Sequence, residues 1–231
     1  MQACVVLFLG SNADREMVRT LHQVYEKSPT IVGHTEISLP PGTDLVVIPG
    51  GFSYGDYLRC GAMAKASPII PAILRHAEEG RYILGVCNGF QILTEIGLLP
   101  GALTRNVGLH FQCRDCFVKV TAAGPFTSDV GVVWRLPIAH AEGRYQASED
   151  VYEQLKKEGR IALRYCTSEG AIEEAANPNG SLDAIAGVYG GTNKNVLGLM
   201  PHPERISEPL LGGVDGRALF VNLLSSVEHM P

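Results

Sequence analysis

The stretch Tyr82-Ile83-Leu84-Gly85-Val86-Cys87-Asn88-Gly89-Phe90-Gln91 constrains the fold more than any other part of this chain. An apolar run enters it and a helix-patterned run, Gln91–Ile96, leaves it, with a thiol at the apex and a glycine two places to either side. That pattern is strand, sharp turn, helix. Flanking glycines let strand and helix approach without a Cβ clash, and the turn forces its apical residue into a strained conformation. The geometry is a nucleophile elbow with cysteine in the serine position. The helix start aims backbone N–H groups and positive partial charge at the sulfur, which favours thiolate over thiol. Buried cysteines are also common core filler, so the motif needs support from the rest of the chain.

Similar apolar runs of strand length recur at Cys4–Leu9, Leu45–Ile48, Val132–Ile138, Ile161–Tyr165, Ala184–Tyr189 and Val196–Met200. Between them lie helix signals. Ser67-Pro68 opens one helix that ends at Glu79-Gly80, Ser148 opens another closed by Gly159, and Gly216–Val227 carries one apolar face. Near-continuous apolar strands alternating with helices predict a parallel sheet covered on both faces. Asn177-Pro178-Asn179-Gly180 is a turn, and 190–195 reads as a hairpin loop, so the second half is expected to be more antiparallel. The expected fold is α/β: a three-layer, flavodoxin-like sandwich with a mainly parallel central sheet and antiparallel additions. With 231 residues and no linker or low-complexity tract, residues 1–231 read as a single domain.

Composition excludes several function classes. The chain is 45% hydrophobic and 19% charged with a net charge of -5, and it has no basic cluster, which argues against nucleic acid or an anionic membrane as partner. The apolar start lacks a basic leading region and reads as a buried first strand, so a cytoplasmic protein is expected. Its six cysteines suit a reduced compartment better than a disulfide framework. Cys113 and Cys116 make a C-x-x-C, but within a strand-like run their side chains face opposite sides, so no metal site is expected.

Three further segments bear on Cys87. In Met200-Pro201-His202-Pro203-Glu204 the prolines are expected to hold the chain extended, where residues two apart face the same way. Glu204 can then orient an imidazole that takes a proton from a thiol and returns it to a leaving amine. In Ile48-Pro49-Gly50-Gly51 a strand ends on glycines, and the N–H of Gly51 with that of Asn88 is a candidate oxyanion hole. In Ile138-Ala139-His140-Ala141-Glu142-Gly143-Arg144, His140 and Glu142 form a rival imidazole–carboxylate pair.

The Gly85–Gln91 and Met200–Glu204 segments together closely resemble the triad-type glutamine amidotransferases. Ile48-Pro49-Gly50-Gly51-Phe52-Ser53-Tyr54-Gly55-Asp56-Tyr57-Leu58-Arg59-Cys60-Gly61 is similar, more narrowly, to the glutaminase subunits of phosphoribosylformylglycinamidine synthases. Nearly the whole chain takes part, including Gly10-Ser11-Asn12 and the final helix. The resemblance implies Cys87 as nucleophile, His202 as acid/base and Glu204 as its orienting partner, with Gly51 and Asn88 as oxyanion donors. It places Gln91, His140 and Arg144 at or near the bound glutamine. It further implies no cofactor on this chain. ATP and Mg would sit on a separate large synthetase subunit that takes formylglycinamide ribonucleotide, joined by a small bridging subunit. Absence of any Walker-type phosphate loop agrees with that division. A glutaminase serving another acceptor, a cysteine hydrolase or peptidase of the same architecture, and a binding module remain the alternatives.

Overall fold

In this computed structural model, residues 1–56 and 59–228 are described. The chain divides into two parts, Met1–Leu99 with Gly190–Gly198, and Pro100–Tyr189 with Leu199–Pro231.

The first part is built of alternating strands and helices: β1 (Ala3–Leu7), α1 (Asp14–Tyr25), β2 (Thr30–Gly33), β3 (Leu45–Ile48), α2 (Cys60–Ala64), α3 (Ile70–Glu78), β4 (Tyr82–Val86) and α4 (Asn88–Glu95). Its strands stand in the order β2-β1-β3-β4, and each neighbouring pair is parallel. The strand β11 (Val196–Leu199) lies beyond β4, where the Asn195 carbonyl accepts from the Ile83 N–H at 2.8 Å. This is the strand order of flavodoxin-like sheets, whose ligands sit outside the carboxyl ends of the strands. Every residue of β3 and β4 is buried, which is why both read as unbroken apolar runs.

The second part contains β5 (Ala102–Thr104), β6 (Gln112–Val120), β7 (Val133–His140), β8 (Arg144–Gln146), α5 (Glu149–Lys157), β9 (Ile161–Cys166), β10 (Ile185–Gly190) and α6 (Arg217–Glu228). Here β10-β9-β6-β7 run antiparallel, and β5 pairs antiparallel with β8. The fold class read from the sequence is therefore correct: α/β, parallel first and antiparallel later. Cys113 is exposed and Cys116 buried on the same strand, as alternation requires.

Two local expectations need correction. Ser67 does not cap α3, which starts at Ile70 with no side-chain cap. Its hydroxyl is instead shared between His34 Nδ1 and the Tyr54 hydroxyl, each at 3.2 Å. By contrast Ser148 caps α5 as expected, accepting from the Val151 N–H. The second correction concerns Pro203–Ile206, which is a 3₁₀ turn, not extended chain. Proline is tolerated in the first turn of a helix, where its missing N–H has no intrahelical use. Among the described residues no helix is long and apolar enough to cross a membrane.

Candidate active site

Cys87 stands between β4 and α4, at the N-cap of the helix, with φ 53° and ψ −106°. A non-glycine residue in that region costs of order 1–3 kcal/mol and persists only where its surroundings enforce it. The surroundings here are the two glycines. A Cβ on Gly89 would fall on the Ile48 carbonyl, and one on Gly85 would meet the Gly89 carbonyl at 2.7 Å. Strand, helix start and neighbouring strand approach too closely for any other residue. Cys87 itself is 4% exposed.

Next to it, at the carboxyl end of the adjacent strand β3, lies the loop that begins at Gly50. The Gly10–Asn12 turn after β1 braces this loop. Gly50 O accepts from Ala13 N and Ser11 Oγ, and Gly51 O accepts from Asn12 N. Gly51 has φ 100°, and a Cβ there would fall on the Asn12 side chain. Beyond it Phe52, Tyr54 and Asp56 all have φ between 52° and 55°, an unusual density of left-handed non-glycine backbone. Tyr57 and Leu58, part of the sequence signature, lie outside the described residues.

Asn88 and Gln91 are brought together on the first turn of α4. Asn88 Nδ2 donates to Gln91 Oε1 at 2.9 Å and to Asp56 Oδ1 at 3.0 Å, while Asn88 Oδ1 accepts from the Ser53 N–H at 3.2 Å. The Cys60 thiol also donates to Gln91 Oε1, at 2.8 Å. The sequence reading passed over Ser53, Asp56 and Cys60 in this role. Their signal was confined to the conspicuous polarity of a loop next to a glycine turn.

In the second part, His202 Nδ1 and Glu204 Oε1 are 2.6 Å apart, and both residues are fully buried. The His202 N–H donates to the Pro137 carbonyl of β7 at 2.8 Å, which anchors the ring's backbone. Glu204 reaches the imidazole because the 3₁₀ turn folds back, not through strand alternation. Gly216 seals the turn from below; a Cβ there would overlap the Pro203 carbonyl. An imidazole with a buried carboxylate on one nitrogen has its tautomer and its orientation fixed.

The rival pair does not form. His140 Nδ1 meets Asn106 Oδ1 at 3.2 Å, and Glu142 is ion-paired to Arg105 at 3.5 Å. Asn106 uses its amide to donate to the His110 and His140 carbonyls, so its oxygen faces the ring and Nδ1 carries the hydrogen. Burial, reinforced by the nearby charge of His202, lowers the His140 pKa to about 4. Such a ring stays neutral through the physiological range. Arg144, on β8, donates to the Gly180 carbonyl and lines a groove of ≈ 690 Å³ with Val107, Asn177 and Asp183.

Comparison with known proteins decides the family. The sequence pattern of the CobB/CobQ-like glutamine amidotransferase domain matches residues 1–212. The chain belongs to this family. It is 53% identical to a phosphoribosylformylglycinamidine synthase subunit PurQ of Rhodospirillum rubrum, over 98% of this chain and 100% of that one. A second subunit PurQ, from Bradyrhizobium diazoefficiens, is 51% identical over 99% of both chains. Among solved structures, a chain of PurLQS from Thermotoga maritima superposes with a TM-score of 0.82 at 41% identity, over 98% of each chain. The chain is thus a glutamine amidotransferase of the PurQ type.

Proposed function

We propose that this protein is the glutaminase subunit of a phosphoribosylformylglycinamidine synthase. It releases ammonia from glutamine and hands it to a separate synthetase subunit, which converts formylglycinamide ribonucleotide to formylglycinamidine ribonucleotide at the expense of ATP. One observation carries the choice of acceptor: identity above 50% from end to end with proteins named as that subunit.

The chemistry follows from the residues. Cys87 attacks the side-chain amide carbon of glutamine. Its strained turn presents the sulfur ahead of the α4 N-terminus, where backbone N–H groups favour negative charge. The N–H groups of Gly51 and Asn88 stabilise the oxyanion, a contribution typically worth about a hundredfold in rate per donor. His202, oriented by Glu204, protonates the departing nitrogen, so ammonia leaves and a glutamyl thioester remains. The same imidazole then deprotonates water, which releases glutamate and restores the thiol. Gln91, His140 and Arg144 are assigned to holding or approaching the bound glutamine.

ATP and Mg belong to the synthetase subunit, and a small third subunit bridges the two in a cytoplasmic complex. Residues 1–231 act as one functional domain. The test mixes the purified chain with the synthetase and supplies glutamine, ATP and formylglycinamide ribonucleotide. Amidine formation that disappears when the chain is omitted is the expected result. Formation of another aminated product, with this substrate untouched, would reassign the acceptor.

A further inference from the structure

We propose that the carboxamide of Asn88 is a positioning residue that holds the two oxyanion donors in register, with Asp56 as its counterpart. The inference rests on the glutaminase reading above and adds to it: there Asn88 acts through its backbone N–H alone.

The side chain is 2% exposed and every part of it is engaged. Its oxygen accepts from the Ser53 N–H, two residues beyond Gly51. Its nitrogen donates to Asp56 Oδ1 at the far end of the same loop and to Gln91 Oε1 on its own helix. One buried amide therefore ties helix α4, which carries one oxyanion donor, to the loop that carries the other. The loop needs such a tie. Phe52, Tyr54 and Asp56 hold left-handed backbone, a conformation that relaxes wherever the surroundings let go. Ser53 makes no side-chain hydrogen bond that could substitute, since its hydroxyl is buried without a partner among the described residues. The orientation of the amide is fixed as well: swapping its oxygen and nitrogen would set an N–H against the Ser53 N–H and oxygen against two oxygens.

An oxyanion exists only in the transition state and the intermediate, so loosening its donors lowers kcat and leaves KM nearly unchanged. Asn88→Asp keeps the acceptor for Ser53 but points a carboxylate at Asp56 and at Gln91 Oε1. We expect kcat for glutamine hydrolysis to fall about a hundredfold; KM is read on Asp56→Ala, which leaves the Asn88–Gln91 bond in place and should keep KM within about threefold. The double variant Asp56→Asn/Asn88→Asp restores a donor–acceptor pair with its direction reversed, and should recover the part of that loss, about tenfold, that runs through residue 56. Two surface changes guard against a misfolded Asn88→Asp. Asp56 is exposed, so Asp56→Ala should fold and lose about tenfold in kcat. Asp56→Asn keeps an accepting oxygen and should stay within about threefold of the parent.

The assay is glutamine hydrolysis by the full chain with its synthetase. Rescue by the reversed pair, with the Asp56→Ala loss confined to kcat, supports the proposal. It is overturned if the double variant folds and is no better than Asn88→Asp. It is equally overturned if Asp56→Ala matches the parent, or if the loss in Asp56→Ala falls on KM. A parent protein that hydrolyses no glutamine would instead overturn the glutaminase reading itself.

Discussion

The pair His202–Glu204 is where a single atom matters most. Replacing Glu204 by Gln keeps the size of the side chain and removes the carboxylate that, in the proposed mechanism, orients His202 and supports the imidazolium formed as Cys87 reacts. Glutamine turnover should fall about a thousandfold or more, with the fold retained by circular dichroism; a loss under tenfold would remove Glu204 from the machinery. His140 makes a different prediction. Its folded pKa is about 4 and its unfolded value about 6.5, so between those pH values the unfolded chain binds the additional proton. Stability contributed by the neutral ring is complete above about pH 6.5 and is lost as pH falls toward 4, by order 3 kcal/mol. His76, whose pKa burial also lowers, adds to the same slope. Urea midpoints from pH 7 to 4 should fall steeply in the parent and less steeply in His140→Gln. Equal slopes would mean that the ring is not buried as described.

At the scale of elements, the legible parts are those in which one residue type answers to one local constraint. Gly85 and Gly89 announced the elbow because only glycine fits where α4 crosses the end of β3. Gly89→Ala should therefore cost about 1–3 kcal/mol by overpacking, read as a drop in Tm, and an unchanged Tm would contradict the close approach. Strands β3 and β4 were read to the residue because burial on both faces leaves continuous apolar runs. Less legible was anything set by distant partners. Ser67 looked like a helix cap but is bound to His34 and Tyr54. The turn at Pro203–Ile206 looked extended, since two prolines argue against helix and nothing local announces the carbonyl of Pro137 or the bracing by Gly216. His140 and Glu142 looked as well matched as His202 and Glu204. Only the fold shows that Asn106, far away in the chain, takes the ring, and Arg105 the carboxylate.

For the whole molecule, fold class and family were legible because the elbow, the glycine loop and the His202–Glu204 turn each follow a strand, on short segments with strong local signatures. The acceptor was not legible in that physical sense. It follows from resemblance, since ammonia carries no trace of where it goes and the synthetase is another chain. A glutaminase coupled to a synthetase should idle when alone, because unused ammonia wastes glutamine. The isolated chain should hydrolyse glutamine slowly and gain at least about tenfold, a barrier change of about 1.4 kcal/mol, when the synthetase is added. Equal turnover with and without that partner would contradict the coupling.

Trapping the acyl-enzyme tests the central claim most directly: the full chain, with its synthetase, is quenched in acid during glutamine turnover and its peptides are weighed. A glutamyl group on the peptide carrying Cys87, absent from Cys87→Ala together with all hydrolysis, is the predicted result. Continued release of glutamate by Cys87→Ala, or an adduct on another cysteine, would contradict it.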